Sequence, residues 1–240
     1  MLRVNWNYIK GLGLIALVSF VFVFSSFRNN VRKIAEIKVN FLGENNLFMT
    51  EASVNKLLIQ NNEELPNMAK EILDLNDIES ALKSNPMIKT AEVHLTVNGE
   101  VRADILQRKP IARVSTNASY YIDDEGAFMP LSTFHTARVP LVTGHVKKNK
   151  LSNVYIIADK IFNDQFLKTH VVEIYQNEDE TFVLKTRAFD FEIWLGNLDK
   201  LDNKISNLKA FYQKAKKDDM LSKYSKVNLQ FDNQVVCTKK

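Results

Sequence analysis

Cysteine is nearly absent from this chain. Cys237 is the only one, so no intrachain disulfide can form and stability has to come from packing. The lone thiol says nothing about compartment. A dense Lys/Arg block is lacking as well: the 32 basic and 28 acidic residues are scattered, which leaves no stripe able to track phosphates and argues against nucleic acid as a partner. Neither internal repeats nor low-complexity tracts occur. Catalytic signatures are missing too: no Gly-rich phosphate loop, no Gly-x-Ser-x-Gly elbow and no Ser-x-x-Lys nucleophile. His94, His135, His145 and His170 stand apart, none with a Cys or carboxylate at zinc-ligand spacing. Asp123, Asp124 and Glu125 lack the longer ligand ladder of a calcium loop and read instead as a turn before Gly126. No metal, cofactor or small-molecule substrate is expected, although catalytic residues dispersed along the chain would leave no such signature.

What is present is a composition suited to folding. Hydrophobic residues make up 45% and charged residues 25%, with 15 Phe among them, enough to build a core rather than a disordered stalk. Near the N-terminus, Gly11 to Phe27 reads GLGLIALVSFVFVFSSF without a charge. As a helix it would span about 25 Å, a little short of the ~30 Å hydrocarbon layer. Trp6 and Tyr8 as interfacial aromatics, with Lys10 and Arg28 snorkelling at either end, supply the remainder. A cleaved signal peptide would have a shorter apolar region and a small-residue cleavage site, whereas Ser25, Ser26 and Phe27 lead directly into Arg28. The segment is therefore expected to be a single transmembrane anchor. Its flanking charges lean toward a cytoplasmic C-terminus, but long folded regions cross membranes largely regardless of charge, so local charge does not decide orientation.

Beyond the anchor, residues 34–41 alternate as a half-buried strand. Thr50 is placed to cap a helix over Glu51 to Gln60, and Asn76 with Glu79 resembles a capping box for a second helix ending at Asn85-Pro86. Residues 61–66 read as a polar loop. Ile88 to Val97 and Val101 to Leu106 form a hairpin. A two-residue loop at Asn98-Gly99 would put the apolar rows on opposite faces, so a three-residue loop, Asn98 to Glu100, is expected, with Val97 facing Val101 and Leu95 facing Ala103. The order strand-helix-helix-strand-strand makes a two-layer α+β module. After Pro110 the chain turns strand-rich: segments at 113–115, 119–122, 139–142, 171–175, 181–186, 189–194 and 227–231 predict a mixed sheet, interrupted by helices over 154–167 and 198–215.

The end of the chain is rich in β-formers. Val227 to Phe231 and Val235-Val236 read as a terminal strand or hairpin. Such a strand either closes the core or forms an edge whose unpaired N–H and C=O groups can take up a partner's strand. Leu229, Gln230, Phe231, Val235 and Val236 are the candidate partner-binding residues.

Laid out this way, the chain resembles the bacterial FtsQ/DivIB cell-division family over nearly its whole length. The anchor is followed by a module similar to a POTRA domain. Gln107-Arg108-Lys109-Pro110-Ile111-Ala112 is similar to the family's Glu-Arg-x-Pro-Val-Ala junction. Tyr121-Ile122-Asp123-x-x-Gly126 and Val139-Pro140-Leu141-Val142-Thr143-Gly144 resemble its Asp-x-x-Gly turn and Leu-Pro-Val-Leu-x-Gly strand. Leu195-Gly196 precedes a helix beginning at Lys200-Leu201, and Val227 to Phe231 stands where the family has Val-Asp-Leu-Arg-Tyr. Departures fall at Gln107 for Glu, Asn98 for a common Pro, and Asn228, Gln230 and Phe231 for Asp, Arg and Tyr.

The resemblance implies a non-enzymatic divisome scaffold of the inner membrane at the septum. It would bind FtsB- and FtsL-like proteins, and through them septal wall synthase components, by the late strand. It also implies a cytoplasmic stretch at 1–10, the span at 11–27, a POTRA-like domain at 34–108, a β domain at 109–236 outside the membrane, and a tail at 237–240. Two other readings are an anchored envelope enzyme acting on the wall and another POTRA-bearing assembly or transport protein. The latter would ordinarily need a membrane barrel, for which too little chain follows Leu106.

Overall fold

The computed structural model describes residues 6–30, 36–44, 46–61, 74–96, 100–188, 191–232 and 234–240, with side chains described outside 6–9, 26–30, 36–37 and 59–61. Helix α1 runs Trp6–Asn30, and its large apolar side chains from Leu12 to Phe24 are all exposed. Among the described residues no helix is long and apolar enough to cross a membrane. Side chains of α1 are described only over residues 10–25, about 24 Å of helix at ~1.5 Å per residue. The chain divides into two compact units after Gln107, with α1 in the first.

In the first unit, β1 (Glu36–Leu42), α2 (Glu51–Asn61), α3 (Leu75–Lys83), β2 (Ile88–Leu95) and β3 (Glu100–Gln107) follow in order. β3 is central, parallel to β1 and antiparallel to β2. One sheet face packs Ile88, Ala91, Val101, Ala103 and Ile105 against Val54 and Leu58 of α2 and Ile78 and Leu82 of α3. The opposite face is polar: Lys38 and Arg102 both meet Glu100, and Asn40 donates to Asp104. Those two cations hold the Glu100 carboxyl below its usual range.

Thr50 caps α2 as the sequence suggests, its Oγ1 accepting from the Ser53 N–H while Ser53 Oγ accepts from the Thr50 N–H. α3 is capped differently. Asp74 accepts from the backbone of Asn76 and Asp77, and Glu79, expected to close a box with Asn76, instead accepts from the Val93 N–H across on β2. The expected loop at 61–66 lies outside the described residues from 62 on. The hairpin loop at Asn98 and Gly99 lies outside them as well. On either side of it Leu95 faces Val101 and Val93 faces Ala103, a register two residues away from the expected one. A two-residue shift preserves the pleat phase, so the apolar rows still share the helix face.

Gln107 closes this unit. Its buried amide accepts from the Phe48 and Met49 N–H groups and donates to the Met49 carbonyl. A carboxylate could make the first two bonds but would face that carbonyl without a proton to give, so this departure from the family's Glu adds a bond that Glu cannot form.

The second unit is built on a nine-stranded sheet: β4 (Pro110–Ser115), β5 (Ser119–Asp123), β6 (Phe128–Met129), β7 (Leu141–Gly144), β8 (Val171–Gln176), β9 (Phe182–Thr186), β10 (Glu192–Gly196), β11 (Tyr224–Asn228) and β12 (Val236–Lys239). Across the sheet the order is β12-β11-β10-β9-β8-β7-β4-β5-β6. Its core face carries Ala112, Val114, Val142, Ile174, Leu184, Ile193 and Val227. Helices α4 (Ser152–Asn163), α5 (Gln165–His170) and α6 (Leu201–Lys217) cover it through residues such as Ile157, Leu167, Ile205 and Leu208. The other face bears charges of alternating sign in register across four strands: Glu173 beside Lys185, Lys185 beside Glu192, Glu192 beside Lys226. Such pairs are favourable neighbours on an open sheet face.

Among the described residues three α-helices, not two, and a short 3-10 helix at Leu221–Lys223 interrupt this unit. The helix expected over 154–167 breaks at Asp164, which takes an extended conformation and caps α5 by accepting from Phe166 and Leu167. Burial would raise the Asp164 carboxyl, but Lys209 and those two N–H groups outweigh it and hold it below its ordinary value. Asp123 forms the expected turn: its fully buried carboxylate accepts from the Glu125 and Ala127 N–H groups and from Arg108 at 2.5 Å. Gly126 sits there at φ +79°, and a Cβ on it would come within 3.0 Å of the Tyr155 ring.

Candidate partner-binding edge

The sheet of the second unit ends on one side in β12, which pairs antiparallel with β11 and has no described strand beyond it. The Lys240 N–H donates inward to the Lys223 carbonyl. Successive residues of a strand turn their N–H and C=O to opposite sides, so Thr238 and Val236 also point inward, while Cys237 aims both groups and Lys239 its N–H outward; the Lys239 carbonyl accepts from Ser225 Oγ of β11. These outward groups make β12 an unpaired edge. The side chains alternate in the other direction: Cys237 packs on the core face, while Val236 lies on the open face opposite Asn228, 43% exposed.

Beside this edge the open face is amphipathic. Trp194 of β10 lies next to Asn228 of β11. Its indole N–H donates to Glu192, and the Lys226 ammonium sits 3.1 Å from the ring centroid, a cation–π contact. The β11–β12 connection holds Phe231, 48% exposed, next to Asp232, which pairs with Lys200 at 2.8 Å. The Lys200 ammonium keeps the Asp232 carboxyl below its ordinary value and is itself shifted up. Both are exposed, so the pair fixes the loop more than it stabilises the fold.

The five sequence-derived candidates divide between these places. Leu229 is buried at 2% exposure, and its N–H donates to the Trp194 carbonyl, extending the β10–β11 ladder. Gln230 and Phe231 lie in the connection, past the end of β11 at Asn228. The Gln230 side chain lies over Gly196, where a Cβ would come within 2.7 Å of Gln230 Cγ. Val235 packs partly on the core and Val236 begins β12. Cys237, Thr238 and Lys239, expected as tail, are strand. Trp194 and Lys226 were not picked out from sequence, because they reach this edge through strands far away in the chain.

Two family models match the chain: "POTRA-like domain" over residues 35–106, and "FtsQ/DivIB, C-terminal related" over residues 109–238, more than half of the sequence. The chain belongs to the FtsQ/DivIB family. No match is found among curated proteins. FtsQ/DivIB proteins are division-site, membrane-associated and generally non-enzymatic, and a cell-division scaffold is the role that these domains suggest. Among the described residues of this FtsQ/DivIB member, no group of three His, Cys, Asp or Glu side chains is arranged to hold a metal ion. Of the histidines, His170 has a structural place: its ring bonds the Phe166 carbonyl and the Tyr212 hydroxyl and packs against both aromatic rings.

Proposed function

We propose that this protein is a non-enzymatic divisome scaffold of the cell envelope that captures FtsB- and FtsL-type partners by adding a partner strand to β12, and so helps to regulate septal peptidoglycan synthesis. The open edge carries this reading: the outward N–H and C=O of Cys237 and the outward N–H of Lys239, with Phe231 and Val236 exposed alongside to receive apolar side chains. Main-chain bonds would give affinity and the flanking side chains selectivity. Gln230 and Phe231, where the family has Arg and Tyr, alter only the side-chain part. The edge ends in Lys239 and Lys240, charges that discourage indiscriminate strand pairing. Partner capture by Lys239→Pro tests the reading. That substitution removes an outward N–H and leaves the inward ladder intact, so capture in a co-purification assay is expected to fall at least about tenfold. Undiminished capture would defeat it.

The same reading holds that α1 anchors the chain in the inner membrane, with the N-terminus cytoplasmic and both units outside. An apolar surface uncovered from Leu12 to Phe24 supports this. The native thiol is a slow reporter of topology, because burial pushes the Cys237 pKa up and lowers its thiolate fraction. A Cys237→Ser, Lys216→Cys variant moves the thiol to the exposed face of α6. Labelling of that variant in intact spheroplasts by a membrane-impermeant maleimide is the expected outcome, and labelling only after lysis would put the domain in the cytoplasm.

A further inference from the structure

A cavity of about 350 Å³ opens in the second unit among the start of β4, the segment leading into β7, the ends of α4 and α5, and the outer ends of β8 and β9. Its floor is apolar, formed by Ile111, Pro140, Ile161, Phe162 and Val171. Around the rim stand three cations, Arg138 ahead of β7, Lys168 on α5 and Arg187 just past β9, with no carboxylate among the described lining residues. The Lys168 ammonium lies 4.6 Å from the Phe162 ring centroid, and Lys109 reaches that ring at the same distance. Neither guanidinium has an ion pair or side-chain hydrogen bond with a described residue, unlike Arg102 and Arg108, which are paired.

Three cations gathered on one apolar basin, with Lys109 on the Phe162 ring nearby, repel one another, and a concave low-dielectric wall focuses their potential outward. An anion relieves that repulsion, and a guanidinium fork suits a carboxylate. The volume lies at the small end of the ~300–1,000 Å³ of ligand sites, with room for one large apolar side chain. A membrane surface would instead be met by a flat basic face.

We infer that this cavity is a second docking site, separate from the β12 edge, for an acidic segment of a partner protein that lays one apolar side chain on the Ile111–Phe162 floor and its carboxylates against Arg138 and Arg187. The inference rests on the scaffold reading but not on β12. It deepens that reading by giving the second unit two independent points of attachment.

The test is fluorescence anisotropy of a labelled Glu-Glu-Phe-Glu-Glu peptide titrated with the full chain in uncharged detergent. Saturable binding is expected, weakening with salt, falling at least about tenfold in the Arg138→Glu, Arg187→Glu variant and severalfold when Ala replaces the peptide's Phe. Both arginines are exposed, and an unchanged urea midpoint checks that the variant is folded. Should the midpoint drop, Arg187→Gln alone is read instead, with a smaller loss expected. Lys239→Pro should leave the peptide's affinity unchanged. Absence of saturable binding, equal affinity in the arginine variant, or loss in Lys239→Pro would each overturn the second site. Displacement of the peptide by glycerol phosphate at lower concentration than by glutamate would overturn it too, assigning the cavity to phosphate headgroups. Undiminished partner capture by Lys239→Pro with peptide binding intact would count against the edge reading alone.

Discussion

The two edges of the nine-stranded sheet are built in opposite ways. β6 is two residues long, its Met129 is fully buried, and the turn leading to it is tied down by the Asp123 carboxylate with Arg108 and two N–H groups. β12 is four residues long and carries an exposed Val236. A protein that needs merely to avoid edge-to-edge pairing shortens or covers both edges. One edge left open while the other is locked is what the proposed strand addition at β12 requires.

The largest effect expected from breaking this contrast is at the locked edge. Asp123→Ala removes the buried acceptor shared by Arg108 and two part-buried N–H groups, leaving Arg108 only Glu125 at 3.3 Å, and should lower unfolding free energy by roughly 3–5 kcal/mol in urea titration. A loss below about 1 kcal/mol would mean that the turn is not what holds β6. Met129→Ala should cost about 2–5 kcal/mol through the cavity it leaves. Val236→Ala, in contrast, should stay within about 0.5 kcal/mol, as for other exposed positions, and equal losses at the two residues would erase the difference between the edges.

Lys239→Pro sharpens the contrast on the binding side. Capture should drop at least about tenfold while stability changes by less than ~1 kcal/mol, because the lost donor faces solvent. The smallest effect belongs to the exposed carboxylate at the open edge. Since Lys200 holds Asp232 below its ordinary 3.8, whatever the pair contributes is present above that value and is lost only as pH falls through the lower folded one. Asp232→Asn should therefore leave the urea midpoint unmoved near neutral pH, whereas Asp123, buried at the other edge, should not tolerate the same change.

Much of the architecture could be read from residue order alone. Apolar alternation located most strands, and the pairing parity of β2 and β3 followed from the requirement that Val93, Ala103 and Ile105 share a face. Caps were harder. Asn76 with Glu79 looked like a box, but Asp74 was closer to the helix start, and Glu79 found a better donor on β2. Asp164 was hidden inside an apolar periodicity that continues across the break from α4 into α5. The edge was legible only in outline. Composition pointed to the last residues, yet Leu229 is consumed by the ladder and the outward groups belong to Cys237 and Lys239, because which amides are free depends on hydrogen-bond phase. Trp194 and Lys226 join the edge by sheet order, which no local pattern encodes, and the Arg138–Lys168–Arg187 rim is assembled from a helix and two connections for the same reason.

Amide hydrogen exchange on the full chain, with and without the proposed FtsB-type partner, tests the central claim most directly. New protection at Cys237 and Lys239, with none gained at Phe128 and Met129, is the result this account predicts. Partner binding that leaves the Cys237 and Lys239 amides exchanging as before would contradict it.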